Sequence, residues 1–210
     1  NSGKTTTLNA LINEINETQN KKILTLESPV EFKHKCKQSV IVQKEVGYGQ
    51  DVLTYKDGVK NCLREDCDIL VIGEIRDRET AEIAMQAGQT GHYVLSTIHT
   101  IDSIEVITRL RKIGVSDYDI ASTLATSLSQ RLVRKVCPKC AVKREYTEEE
   151  KNIINGIAKK YGVEYDFTGK YTYDTVGCQY CNDSGFYGRI GIFEILDMSE
   201  AIKELVIKGE

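Results

Sequence analysis

The stretch that most constrains this chain runs from Asp68 to Thr100 and reads strand, acidic tip, helix, turn, strand. Ile69 to Ile72 is a short unbroken apolar run, the pattern of a strand covered on both faces. Gly73 and Glu74 end that strand on a carboxylate. Ala81, Ala84, Met85 and Gly88 then recur at helical spacing, and after Gly91-His92 a second strand, Tyr93 to Thr97, runs out into Ile98-His99-Thr100. The unit predicts an α/β fold. Open α/β sheets bind ligands at the carboxyl ends of their strands, so Glu74 and His99, delivered there by adjacent strands, are candidate site residues.

The first residues supply what such an edge would bind. Asn1 to Thr6 reads NSGKTT, and Gly3, Lys4 and Thr5 fit the last three positions of the phosphate-loop pattern G-x-x-x-x-G-K-[ST]. Ser2, Gly3, Lys4, Thr5 and Thr6 are the candidate nucleotide contacts. Backbone N–H groups and a helix N-terminus would cradle phosphates, Lys4 would meet the β/γ oxygens, and Thr5 would meet Mg²⁺. A short GK[ST] also arises by chance. The helical stripe Leu8, Leu11, Ile12 and Ile15 that follows is what a phosphate loop requires next. The first glycine of the pattern and its strand would lie upstream of residue 1. The expectation is therefore a chain cut inside the loop, with poor ATP binding and negligible turnover on its own. Downstream, Lys22 to Leu26 reads as a strand ending in Glu27-Ser28-Pro29-Val30-Glu31, where Pro29 stops it. Glu27 and Glu31 are either solvated loop acids or, beside a phosphate loop, partners of Glu74.

A second feature is independent of the first. Cys137-Pro-Lys-Cys140 and Cys178-Gln-Tyr-Cys181 are two C-x₂-C knuckles, and together they predict one closed tetrahedral Zn²⁺ site. The alternatives are redox dithiols, for which the surrounding context is absent, and disulfides, which do not suit a cytosolic nucleotide enzyme. The other three cysteines, Cys36, Cys62 and Cys67, match no ligand spacing. The intervening segments read as a strand from Ser39 to Gln43 and helices from Thr54 to Glu65 and Ser103 to Ile113. A further helix starts at Ser116, with Ile120, Leu124 and Leu128 on its apolar face. Another runs from Thr147 to Tyr161, with Thr147 and Glu150 in capping-box spacing. Gly185 to Leu196 alternates as a hairpin, and Ser199 to Lys208 is a last helix. A boundary is expected near Val136: residues 1–136 as the nucleotide core, 137–210 as the zinc appendage. The net charge of −3 gives no bulk attraction to nucleic acid, and no apolar run approaches the ~20 residues of a membrane helix.

These residues carry a resemblance. The chain resembles the C-terminal ATPase domain of the secretion ATPases that assemble type IV pili and type II secretion pseudopili. NSGKTT is similar to the end of their phosphate loop, LTLESPVEF to their acidic box, GEIRDRETAEIA to their second nucleotide motif and TGHYVLSTIHT to their histidine box. QRLVRKVCPKC, GCQYC and GRIGIFEIL are similar to the zinc-bearing part of the assembly branch. The resemblance implies a RecA-like P-loop NTPase core in a homo-hexamer. It also implies ATP, Mg²⁺ and Zn²⁺ as cofactors and a polytopic inner-membrane platform protein as partner. The place of work would be cytoplasmic, at the inner face of the cytoplasmic membrane. Glu31 and Glu74 become the acids that position or polarise the attacking water, with Glu27 beside them. His92 and His99 become site-linked groups that sense the nucleotide, or else hydrogen-bonded structural histidines.

Two departures stand out. Ser28 occupies a position where the family usually has Asp, which shifts weight to Glu27 and Glu31, and Cys67 replaces a usual Pro. Retraction ATPases of the same family share the nucleotide motifs but normally lack the four cysteines, which favours assembly over retraction; a pilus, a secretion pseudopilus and a DNA-uptake machine all remain open. Two rival classes are a nucleic-acid translocase, against which the acidic charge and the lack of a basic-aromatic face argue, and a non-catalytic zinc scaffold, whose nucleotide site would be degenerate. No nucleic-acid partner is expected.

Overall fold

Four strands form the central sheet, and the two inner ones, unlike the two outer ones, are buried on both faces. The computed structural model describes residues 2–209, so Asn1, the first residue of the loop motif, lies outside the described residues. Strands β1 (Lys22–Glu27), β2 (Val40–Glu45), β3 (Ile69–Ile72) and β4 (Tyr93–Ser96) pair in parallel in the order β2-β1-β3-β4. Along β1, Ile23 points to one face with Ile69 and Val71 of β3, while Leu24 and Leu26 point to the other with Leu70 and Ile72. All four residues of β3 are buried, which is why its sequence runs apolar without alternation.

Helix α1 (Lys4–Thr18) covers the first face, placing Leu8, Ile12 and Ile15 against Ile23 and Ile69. Helices α2 (Tyr55–Cys62) and α3 (Arg78–Gln89) cover the second, with Val59, Cys62, Ala81, Ala84 and Met85 in one core cluster with Leu26 and Ile72. Burying a side chain such as Leu26, at 0% exposure, is worth roughly 1.5–3 kcal/mol. The helices begin where side chains can accept an orphan N–H: Thr54 caps α2 and Asp77 caps α3. Helices α4 (Glu105–Lys112) and α5 (Asp117–Thr123) extend the second layer, α5 being capped by Ser116.

The remaining elements are β5 (Thr126–Val136), β6 (Ala141–Arg144), α6 (Glu148–Lys160), β7 (Thr172–Thr175), β8 (Phe186–Asp197) and α7 (Glu200–Lys208). β6 and β7 pair antiparallel. The capping box expected at Thr147 and Glu150 is present at the start of α6. β5 and β8 form their own two-stranded sheet. Met198 N donates to Ala125 O and Cys137 N to Gly185 O, so one strand rises in number as the other falls and the pair is antiparallel. By packing, the chain divides into two units: Asn1–Arg131 with Phe193–Glu210, and Leu132–Ile192. No helix of the described residues is long and apolar enough to cross a membrane.

Three expectations are corrected. Leu128 is not on the helix that starts at Ser116; α5 stops at Thr123 and Leu128 lies in β5, whose β-branched start at Thr126 and alternating burial favour a strand. The hairpin expected over Gly185 to Leu196 is one long strand, β8, whose partner is the equally long β5. The domain division at residues 136 and 137 also shifts. The last helix does not belong with the cysteines, because its apolar pair Ile202 and Val206 packs on α5 in the main core, with Val206 at 2% exposure and Arg111 Nη2 donating to Val206 O at 3.0 Å.

Candidate functional site

The carboxyl ends of β1, β3 and β4 and the start of α1 surround one cavity, lined among others by Lys4, Thr5, Asn9, Glu27, Glu31, Tyr55, Gly73, Glu74, Thr97 and His99. Gly3 precedes α1 in the left-handed region (φ 85°, ψ 16°), a conformation glycine adopts without a Cβ penalty, and no side chain caps the helix. Its first N–H groups are therefore left for an anion. Gly73 is needed for a different reason. A Cβ there would sit 3.1 Å from the Tyr55 hydroxyl and 3.2 Å from Leu26 O, so any larger residue would press β1 and Tyr55 back by a few tenths of an ångström from the cavity floor.

The polar atoms form a connected set. Lys4 Nζ donates to His99 Nδ1 at 3.1 Å, which leaves the ring proton on Nε2, and Nε2 faces Glu74 Oε2 at 3.4 Å. With Nδ1 accepting, the ring is neutral, and this last contact lacks hydrogen-bond geometry, so Glu74 Oε2 is buried without a hydrogen-bond partner. Glu74 Oε1 pairs with Arg76, which is 73% exposed. Glu27 is 8% exposed, and its Oε1 accepts from Thr25 Oγ1 at 2.7 Å and from Gln43 Nε2 at 3.1 Å. Burial raises the Tyr55 phenol's pKa, the Glu74 carboxylate adds to the rise, and Arg76 opposes it. Burial lowers the pKa of His34, against the pull of Glu27. An orphaned buried carboxylate oxygen near a threonine hydroxyl, at an uncapped helix start, suits an oxygen-liking divalent cation with phosphate.

In the other unit the four knuckle cysteines converge, and all their Sγ atoms lie within 4.8 Å of one another. The Sγ–Sγ separations are 3.9 Å for Cys137–Cys178, 3.8 Å for Cys140–Cys181 and 3.7 Å for Cys178–Cys181. A tetrahedron with Zn–S bonds of ~2.3 Å has edges of about 3.8 Å, whereas a disulfide needs ~2.05 Å. Lys139 N donates to Cys137 Sγ at 3.5 Å and Cys178 N to Cys181 Sγ at 3.3 Å, contacts that favour thiolates. Burial and the neighbouring thiols raise the pKa of the Cys140 thiol, while, against the effect of burial, hydrogen bonds from the backbone and from Cys178 and Cys140 lower that of Cys181. The donor set and its spacing fit zinc.

The sequence model of the family described as "Type II/IV secretion system protein" matches residues 1–210. The chain belongs to that family. Over 205 residues it is 40% identical to "Type II secretion system protein E" of Aeromonas hydrophila, covering 98% of this chain and 38% of that protein. Over 209 residues it is 40% identical to "Type IV pilus assembly ATPase PilB" of Myxococcus xanthus, covering 99% of this chain and 35% of that one. The chain thus spans less than two-fifths of the length of these relatives. Among solved structures it is similar to the pilus retraction motor PilT with bound ADP, with a TM-score of 0.70 and 28% identity over 99% of this chain and 48% of that one. It is also similar to the ATPase DotB of Legionella pneumophila, with a TM-score of 0.68 and 26% identity over 100% and 46%. The α/β fold with a parallel sheet is the one these secretion-family ATPases share.

Of the residues singled out in this family member's sequence, Lys4, Thr5, Glu27, Glu31, Glu74 and His99 come together in the cavity. Ser2, Gly3 and Thr6 sit at the helix start without lining it. His92 is not brought there. It precedes β4, at the opposite end of the strand from His99, and its Nδ1 lies 3.2 Å from Ala87 O and 3.3 Å from Thr90 Oγ1. The geometry is that of a hydrogen-bonded histidine closing the end of α3. The sequence reading missed Tyr55, Thr97, Asn9 and Gln43. Tyr55 and Asn9 sit in helices whose periodicity says nothing about a cavity, and Gln43 is visible only once its register opposite Thr25 is known.

Proposed function

We propose that this chain is the nucleotide-hydrolysing part of an ATPase that drives assembly of type IV pili or type II secretion pseudopili. The observation that carries the reading is the buried, unpartnered Glu74 Oε2 in the same cavity as Lys4 and the uncapped start of α1. Lys4 and the first N–H groups of α1 hold the phosphates of ATP, and the Thr5 hydroxyl with Glu74 is the oxygen set for Mg²⁺. When bound, that ion supplies charge to the β/γ oxygens. Glu74 and Glu27 orient the attacking water, and Glu31, exposed on its loop, completes the acidic rim. His99 bridges Lys4 and Glu74, so a phosphate that draws Lys4 away alters what Glu74 faces. Cys137, Cys140, Cys178 and Cys181 hold a structural Zn²⁺. The working form is a homo-hexamer at the cytoplasmic face of the membrane, acting on a polytopic membrane partner.

Similarity of 40% to assembly and secretion proteins, against 28% to a retraction motor, supports assembly over retraction. The test is MgATP hydrolysis by the full-length protein and by Lys4→Ala, which removes the one lysine or arginine that lines the cavity among the described residues. Turnover with strong loss of MgATP affinity in the variant supports the reading. Equal affinity in both would overturn it.

A further inference from the structure

The α1-facing side of the sheet changes character along its length. At the base, Ile23 of β1 and Ile41 of β2 pack under Ile12. One step up the register stand Thr25 and Gln43, and one further Glu27 and Glu45. Thr25 is fully buried, yet its hydroxyl is used: it donates to Glu27 Oε1. Gln43 uses both ends of its amide. Oε1 accepts from His34 N at 2.9 Å, and Nε2 donates to Phe32 O at 2.8 Å and to Glu27 Oε1 at 3.1 Å. Its orientation follows from its partners, because a flipped amide would set oxygen against two acceptors and NH₂ against an N–H. The backbone of the Phe32–His34 loop thus fixes the roll of the amide, and that roll aims Nε2 at Glu27. With Oε1 committed twice, Glu27 Oε2 has no described hydrogen-bond partner and is the oxygen left for the cavity.

We propose that Gln43 is a positioning residue for ATP hydrolysis: anchored on the Phe32–His34 backbone, its amide holds Glu27 so that one carboxylate oxygen stays aimed at the nucleotide cavity. The inference rests on the ATPase reading given above. Thr25 alone leaves the carboxylate free to turn about a single hydrogen bond, whereas two donors on one oxygen fix its plane. Gln43 does not line the cavity, whereas Glu27 does, so its effect on the site runs through Glu27.

The test is a double-mutant cycle on kcat in the full-length protein, using the parent, Gln43→Met, Glu27→Ala and the double variant. Methionine keeps the length of the side chain and removes all three hydrogen bonds. Gln43→Met is expected to lower kcat about 10-fold, as a slightly misplaced group does, with KM for ATP within about twofold of the parent. In the Glu27→Ala background the same change is expected to lower kcat less than about twofold, because nothing remains to be aimed. Three results overturn the proposal: parental kcat in Gln43→Met, parental kcat in Glu27→Ala, or a full 10-fold fall that persists without Glu27, which is how a merely structural residue behaves. If Gln43→Met melts before assay, Gln43→Glu carries the same cycle, since it keeps the acceptor for His34 N–H and loses both donations. A parent that hydrolyses no ATP defeats the ATPase reading itself, and this role with it.

Discussion

Glu74→Gln separates what the site needs from what the fold needs. The side chain keeps its shape and loses its charge. Two terms set the effect on stability. The pair with Arg76 is lost, but Arg76 is 73% exposed, and such surface pairs are worth about 0–1 kcal/mol. Against this, Glu74 Oε2 is buried with no hydrogen-bond partner, a burden of about 1–3 kcal/mol that a neutral amide partly relieves. With only part of that burden relieved, the sum runs from a loss of under about 1 kcal/mol to a gain of under about 3 kcal/mol, centred on the stabilising side. Turnover moves the other way. Losing the charge that orients water or metal should lower kcat on the order of 10²-fold or more, about 2.7 kcal/mol of barrier. The assays are steady-state phosphate release by the full-length protein, MgATP titration and thermal melting. Retained binding, collapsed turnover and a melting temperature at or above the parent's are expected. Parental turnover would remove Glu74 from the site, and a melting temperature several degrees lower would show that the Arg76 pair outweighs the orphaned oxygen.

Other perturbations address the rest of the chain. Elemental analysis of protein purified under reducing conditions should find one zinc per chain, and Cys137→Ser or Cys178→Ser should lose both the metal and the cooperative melting of residues 132–192; absence of stoichiometric zinc in the parent would sink the site. Val206→Ala should cost about 1.5–3 kcal/mol in denaturant titration, because the side chain is 2% exposed against α5; no loss would mean that α7 is not docked. Arg144 first, and then the Thr147 N–H, hold the Glu150 carboxyl at about 2, below its ordinary 4.5. A depressed pKa stabilises fully above pH 4.5 and the contribution fades as pH falls towards 2. The melting difference between the parent and Glu150→Gln should therefore shrink over that window; a difference independent of pH would contradict the pairing.

Legibility in the sequence tracked the range of the interactions that decide each feature. β1, β3 and the convergence of the cysteine knuckles were readable because local pattern settles them: an alternating stretch stopped by Pro29 for β1, a continuous apolar run for β3, and thiol spacing for the knuckles. Leu128 and the Gly185–Leu196 stretch were misread because their structure depends on each other, β5 and β8 pairing across a long separation. The last helix was assigned to the wrong unit since its Ile202 and Val206 stripe states that a face is buried but not against what. In the site, Lys4, Glu27, Glu74 and His99 announced themselves as polar residues at strand or helix ends. Gln43 and Thr25 did not, because a mid-strand amide and hydroxyl gain meaning only through register.

The antiparallel β5 and β8 have a consequence for how such genes can change. The chain enters the cysteine unit at Leu132 and leaves it at Ile192, on two strands that run side by side. Both open ends of the excursion are thus neighbours, and the entropy of closing a loop rises only slowly with its length. A single splice between those strands could remove the whole metal-binding cassette, or replace it with a turn, without rethreading any other element. Neither the parallel sheet nor the cavity beside Lys4 draws a residue from 132–192, so such a splice would leave both as they are.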